Sequence, residues 1–180
     1  MLRIVVPAGE VFDEATNTFY STNECVLELE HSLVSLSKWE SKWCKPFLDK
    51  KEKTQEETID YVRQMTINDN VPSDVYSCLT EQNLTDILEY INAPMTATWF
   101  TEDKHARPSR ETVTSELIYY WMITLNIPME CQHWHLTRLM TLIKVCNIKN
   151  TPPKKMGRRE LMNRNAALNA SRRQRFNSRG

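Results

Sequence analysis

Cysteine and histidine are the residues whose types and spacing come closest to a chemical site in this sequence. Cys131 and His135 are four residues apart, which places two side chains on one face of a helix, and Cys146 offers a third ligand. Zinc accepts such ligands, but structural zinc sites usually present them in closely spaced pairs. We therefore expect Cys131 near a helix start, Cys146 in the core and the histidines at the rim, and we predict no metal.

A catalytic site is equally hard to assemble from these residues. A nucleophilic cysteine needs an activated thiolate and a base that converge on a cleft. Neighbours on one helix, such as Cys131 and His135, seldom do so, and His31 and His105 have no evident partner in the sequence. Phosphate-binding loops need several glycines at fixed spacing, whereas the whole chain has three. We predict a protein that is not an enzyme and has no cofactor.

The cysteines and the N-terminus also limit where the protein acts. The five cysteines are widely scattered and include no CxxC pair, which is typical of reduced thiols inside a cell. The first apolar run stops at Pro7 and is too short for a signal peptide or a membrane span. We expect a protein that stays in the compartment where it is made, with no route to a membrane.

Hydrophobic periodicity predicts a mainly α fold with three parts. These are a small β element at 1–31, a helical body at 32–150 and a protruding basic C-terminal helix within a tail at 151–180. Apolar or alternating runs at 2–6, 18–20 and 26–30 predict a hairpin or a three-stranded sheet.

Five or six helices are expected in the body. One runs from about Ser32 to Lys45, and a second opens at a capping box formed by Thr54 and Glu57. A third is capped by Thr80, with its apolar face formed by Leu84, Ile87, Leu88 and Ile91. Prolines mark 94–110 as a linker or an exposed loop.

The last two helices of the body are predicted to form an antiparallel hairpin. The first is capped by Ser109, and the second runs from about Glu130 to Asn147. The apolar face of the first would consist of Val113, Leu117, Tyr120, Trp121 and Leu125. We expect this hairpin to be the densest part of the core.

The zero net charge conceals a strong asymmetry. Residues 154–180 hold nine basic side chains and one acid, a net charge of +8, so that residues 1–153 carry −8. The tail has few large apolar residues, which predicts a polar helix that projects away or is disordered until bound. Its basic residues are candidate partner contacts: Lys154, Lys155, Arg158, Arg159, Arg164, Arg172, Arg173, Arg175 and Arg179.

Tryptophans supply the other candidate contacts. Trp39 and Trp43 lie four residues apart among lysines, so they form either core or an amphipathic docking surface. Trp99 and Phe100 form an apolar pair in the expected loop, where they should dock on the body or meet a partner.

Four short stretches carry a resemblance to a known family: LELEHSL at 27–33, SKWESKW at 37–43, WHLTRL at 134–139 and NAALNA at 165–170. Together they resemble proteins of long-tailed bacteriophages known as tail assembly chaperones. The resemblance covers most of the chain and implies binding to the tape measure protein and to tail tube subunits in the host cell cytoplasm. It also fits self-association, since an acidic body and a basic tail favour head-to-tail contact.

Two alternatives to a chaperone remain open at this stage. A structural virion component, such as a neck or tail-connector subunit, could insert its tail into a neighbour. A nucleic-acid-binding protein could use the basic tail against phosphates, although a single aromatic, Phe176, provides no stacking platform. We favour protein contact over nucleic acid for the tail.

Overall fold

A computed structural model describes residues 1–13, 17–100, 112–152 and 157–177 of the chain. The chain divides into two compact units, Met1–Asn147 and Ile148–Gly180. The predicted mainly α fold with an N-terminal β element and a C-terminal helix is confirmed.

The β element confirms the expected small N-terminal hairpin or sheet, and it contains four strands in two antiparallel pairs. The strands are β1 (Leu2–Val6), β2 (Gly9–Asp13), β3 (Thr18–Thr22) and β4 (Cys25–Leu29). Strand β1 pairs with β4, Leu2 opposite Leu29, and β2 pairs with β3 as a separate hairpin, Gly9 opposite Thr22. The chain therefore leaves the first sheet after Pro7, forms the hairpin and returns.

Six α-helices follow within the described residues. One 3-10 segment lies between the second and third helices, and another lies between the fourth and fifth. The helices are α1 (Leu33–Trp43), α2 (Gln55–Met65), α3 (Glu81–Asn92), α4 (Ser115–Thr124), α5 (Leu136–Asn150) and α6 (Arg158–Phe176). The 3-10 segments are Ser73–Cys78 and Met129–His133.

Capping residues explain where the first three helices begin. The side chains of Ser32, Thr54 and Thr80 accept hydrogen bonds from the third residue of α1, α2 and α3, and each forms a reciprocal capping box. The predicted caps at Thr54 and Thr80 are thereby confirmed.

The first of two apolar clusters joins the β1–β4 sheet to α1, α2 and α3. Its largest members include Trp39, Tyr61, Met65 and Tyr90, with Leu27 and Leu29 fully buried beneath them. On α3 the buried residues are Asn83, Ile87 and Tyr90, while Leu88 is 54% exposed. The expected apolar face of α3 was therefore wrong at Leu88.

The second cluster combines residues of α1, α4 and α5: Leu33, Leu36, Ile118, Met122, Leu136, Leu139 and Ile143. Helix α4 buries Ile118 and Met122, whereas Tyr120, assigned inward from the sequence, is 61% exposed. The sequence predicted that α4 and α5 form the densest part of the core, and α1 contributes Leu33 and Leu36 to the same cluster. Helix α4 is capped by Thr114, and Ser109 lies outside the described residues.

Hydrogen bonds protect the β1–β4 sheet beyond its own pairing. Beside β4, the backbone N–H of Glu30 donates to Met65 O at 2.8 Å, and that of Ile67 donates to Glu28 O at 2.9 Å. On the side of β1, Asn83 Nδ2 donates to Val5 O at 3.1 Å. Residues at the end of α2 and the start of α3 thus bind the outer edges of both strands.

The second unit contains the 19-residue helix α6, which matches the basic helix predicted for the tail. Its apolar side chains are exposed: Leu161, Met162, Leu168 and Phe176. Among the described helices, none is long and apolar enough to cross a membrane.

Candidate partner-binding surfaces

Trp39 is a core residue, which corrects its assignment to an exposed docking surface. Its side chain is 1% exposed, and its indole N–H donates to the backbone oxygen of Glu57 at 2.9 Å. The ring also packs edge-on against Phe47, with centroids 5.1 Å apart. Trp39 therefore joins α1 to α2 and is inaccessible to a partner.

Trp43, one helical turn later, is half-buried and lies beside a groove between α1 and α2. Its indole N–H donates to Asp60 Oδ2 at 2.9 Å, while Lys42 Nζ contacts Asp60 Oδ1 at 2.5 Å. The groove has a volume of about 590 Å³ and is lined by Lys42, Trp43, Thr54, Gln55, Glu56, Ile59, Asp60 and Arg63. An apolar wall therefore stands between charged edges.

Two buried carboxylates set the electrostatics of this surface. Burial alone would raise the pKa of Asp60, but hydrogen bonds from Lys42 and Trp43 outweigh it and lower the pKa. The pKa of Glu57 is lowered by its hydrogen bond from Lys45 and by the backbone N–H of Thr54. Both side chains are therefore anionic at neutral pH and hold the lysines in place.

Trp99 and Phe100 end the described part of the loop. Trp99 is 80% exposed, and the ring of Phe100 lies 4.3 Å from Lys144 Nζ. The residues of the expected loop from 101 to 110 lie outside the described part. Of the two members of the predicted pair, Phe100 meets the body and Trp99 is accessible to a partner.

The predicted basic contacts lie on α6 where the structure describes them. The helix carries six exposed arginines: Arg158, Arg159, Arg164, Arg172, Arg173 and Arg175. Lys154, Lys155 and Arg179 lie outside the described residues. Arg175 also stacks near the ring of Phe176, at 5.9 Å.

The Cys131, His135 and Cys146 arrangement differs from the one inferred from spacing. Cys131 is buried in the 3-10 segment Met129–His133, and His135 directly precedes α5, so the two do not share one helical face. Cys146 is half-buried rather than buried. Within the described ranges, no three or more cysteine, histidine or acidic side chains converge as a metal site would require.

His135 instead pairs with His31, whose partner the sequence did not reveal. The two rings meet edge-on with centroids 5.0 Å apart, and His31 Nδ1 lies 2.6 Å from the Tyr61 hydroxyl. The Nε2 atom of His135 lies 2.9 Å from the backbone oxygen of Tyr90. Because a carbonyl can only accept, Nε2 carries the proton in the neutral ring, and Nδ1 is left buried without a partner among the described residues.

Burial keeps this histidine pair neutral. Burial, together with a smaller contribution from the nearby His135, lowers the pKa of His31 from 6.5 to about 4. Burial also lowers the pKa of His135, although the bond to Tyr90 opposes that effect. Burial raises the pKa of Tyr61. These groups connect the end of β4 to α2, α3 and the start of α5, which is a structural role.

Reasoning from the sequence missed two apolar side chains that are not fully buried in the core. One is Leu88 on the outward face of α3, where it is surrounded by acidic and polar side chains. The other is Ile59, which is partly buried beside Trp43 in the groove. The apolar periodicity of each helix concealed both, because it assigns every periodic apolar residue to the core.

Comparison with known proteins gives no match for this chain, whether against family models, curated protein sequences or solved structures.

Proposed function

We propose that this chain is a phage tail assembly chaperone, a protein that binds the tape measure protein and assists tail tube assembly without catalysis. Two lines of support lead to it. The four short stretches that resemble such chaperones supply the partner, and the α1–α2 groove supplies a surface on which a helical partner fits. Its place of action would be the cytoplasm of the host cell.

The groove beside Trp43 is the observation that carries the proposal. A tape measure protein is long and helical, so it presents an apolar stripe that must be covered before the tube forms around it. Helix-in-groove recognition places such a stripe against apolar side chains and its polar flanks against charged edges. Trp43 and Ile59 provide the apolar contact, and Lys42 and Arg63 provide cationic edges at the same groove.

The groove is also preorganised for binding. Helix α2 begins at a complete capping box, and the Trp43 ring is held by its bond to Asp60. Asp60 contacts Lys42 and Arg63 as well, the latter at 3.5 Å. A partner would therefore meet side chains whose conformational freedom is already reduced, which lowers the entropic cost of association.

Co-expression with the tape measure protein tests this proposal. We expect the wild-type chain to keep the tape protein soluble and to copurify with it. Trp43→Ala together with Ile59→Ser should abolish both effects while circular dichroism stays unchanged. Leu48→Ala removes an exposed apolar side chain that does not line the groove and serves as the matched control. Failure of the wild-type chain to rescue solubility would contradict the proposal.

The protein inventory of purified virions distinguishes the chaperone from a structural neck or tail-connector subunit. A chaperone leaves the particle, so mass spectrometry of virions should not detect the chain although infected cells contain it. A fixed stoichiometry in the virion would favour the structural role instead.

A further inference from the structure

The outward face of α3 combines negative charge with an exposed leucine. Its exposed residues recur at helical spacing and lie on one side: Glu81, Gln82, Thr85, Leu88, Glu89 and Asn92. Leu88 stands near the centre, with Glu81 two turns before it and Glu89 directly after. Leu88 is 54% exposed, so this face offers an apolar side chain for contact beside its carboxylates.

The sequence on either side of α3 is also acidic. Residues 64–100 contain five acids and not one lysine, arginine or histidine. The ion pairs of the described residues involve none of these five acids: Asp69, Asp74, Glu81, Asp86 and Glu89. Within the described part of the chain, the carboxylates of this face therefore have no ion-pair partner.

Helix α6 carries the complementary pattern. One of its faces has leucines seven residues apart, Leu161 and Leu168, each 46% exposed. Arg164, Arg172 and Arg175 share that face, since they follow Leu161 by three, eleven and fourteen residues. A stripe of leucine flanked by arginine thus runs along a helix whose side chains are exposed.

We propose that α6 of one copy of this chain docks on the outward face of α3 in a second copy. Seven residues of helix span about 10 Å, so the separation between Leu168 and Arg175 equals that between Leu88 and Glu81. With the two helices antiparallel, Leu168 can therefore contact Leu88 while Arg175 reaches Glu81. Opposite charges set the register of the two helices, and the leucines supply the buried apolar area.

The leucines favour a second copy over nucleic acid as the occupant of α6. A phosphate backbone would contact the arginines and leave Leu161 and Leu168 in water. The α3 face offers contacts to arginine and to leucine alike. The charges also balance within one chain, +8 in residues 154–180 and −8 in the remainder, so a copy supplies both halves of the contact. The contact is heterologous and produces either closed rings or open chains of subunits.

This contact does not depend on the tape measure protein, so it can fail while the proposed function holds. Sedimentation velocity of the full chain at several concentrations tests it. We expect concentration-dependent association at about 50 mM salt that is lost at about 500 mM, because salt screens exposed charges. A chain that stays monomeric at low salt would overturn the proposal.

Charge reversal identifies the surfaces. Arg172→Glu with Arg175→Glu, and separately Glu81→Arg with Glu89→Arg, should each weaken self-association by about tenfold or more, since like charges would then face each other. Mixing the two variants restores opposite charges at both contacts and should restore association. The control Glu10→Arg with Glu24→Arg makes the same change of charge at exposed positions of the β element and should associate like the wild type.

Two results would overturn the assignment. The first is a mixture of the two folded variants that remains monomeric. The second is a wild-type chain that stays monomeric yet binds a DNA duplex through residues 154–180, because α6 would then serve a nucleic acid. Circular dichroism of each variant verifies that the helices are intact.

Discussion

The carboxylate of Glu40 on α1 accepts a hydrogen bond of 2.7 Å from the backbone N–H of Ser115, the first residue of α4. Its other oxygen accepts the backbone N–H of Phe47 at 2.8 Å. Glu40 is 7% exposed, so a single buried side chain satisfies two donors from distant parts of the chain. The negative charge also lies at the positive end of the α4 dipole.

Replacement of Glu40 should therefore be costly. Glu40→Ala leaves both backbone N–H groups without an acceptor and should lower the free energy of unfolding by about 2 to 4 kcal/mol. Glu40→Gln retains one acceptor oxygen and should lose about half as much. Urea denaturation followed by circular dichroism measures both, and the exposed Glu52→Ala should change the free energy by less than about 0.5 kcal/mol.

The histidine pair predicts a loss of stability in mild acid. The unfolded chain protonates His31 below pH 6.5, whereas the folded chain does so only near pH 4, so protons favour the unfolded state in this interval. The contribution of His31 should decline as the pH falls from 6.5 to 4, by about 3 kcal/mol in all. The pKa of His135 is also lowered, so its protonation adds to the loss of stability as the pH falls.

The variant His31→Asn removes this titration and keeps a polar group near Tyr61. It should be less stable than the wild type at pH 7, but its stability should change less between pH 6.5 and 4. The exposed His133→Asn serves as control. An unchanged pH profile in His31→Asn would contradict burial of a neutral His31.

Trp39 and Trp99 should behave oppositely when they are removed. Trp39→Ala empties a buried site and should lower the free energy of unfolding by about 3 to 5 kcal/mol. Trp99 is 80% exposed, and Trp99→Ala should change stability by less than about 0.5 kcal/mol. Equal effects in thermal denaturation would be inconsistent with the positions of the two rings.

Cys44 provides a stabilising substitution. It ends α1 in the left-handed region, with φ 52° and ψ 37°, where a side chain is strained and glycine is not. Cys44→Gly should raise the free energy of unfolding by up to about 1 kcal/mol. At Ser41, an exposed position inside the same helix, the change to glycine should instead destabilise by about 0.5 to 1 kcal/mol. A destabilised Cys44→Gly would mean that the thiol itself supports the turn.

Local signals in the sequence located most of the helices. The boxes at Thr54 and Thr80 involve residues three positions apart, so the sequence contains all that is needed to predict them. The start of α5 depended on distant partners. The backbone N–H of Leu136 donates to His31 O at 2.9 Å, and a 3-10 segment after Pro128 occupies the residues expected to begin that helix.

Burial was less predictable than helix position. Asn83 is buried because its side chain serves both the Thr80 cap and Val5 O, a contact 78 residues distant in the chain. The inner face of α3 therefore consists of Asn83, Ile87 and Tyr90, and Leu88, which apolar periodicity assigned to it, is exposed. Likewise Trp39, which the sequence left as either core or docking surface together with Trp43, belongs to the core because its indole N–H bonds to Glu57 O on α2.

The bonds that Met65, Ile67 and Asn83 make to the edges of the β1–β4 sheet limit how this protein can meet others. An extended peptide that tried to join β4 as an additional strand would have to displace the chain at the end of α2, which already occupies Glu28 O and the Glu30 N–H. Strand addition at the β4 edge would therefore require partial unfolding of the first unit. A partner that approaches this edge of the folded protein meets the chain at the end of α2 instead of free backbone groups.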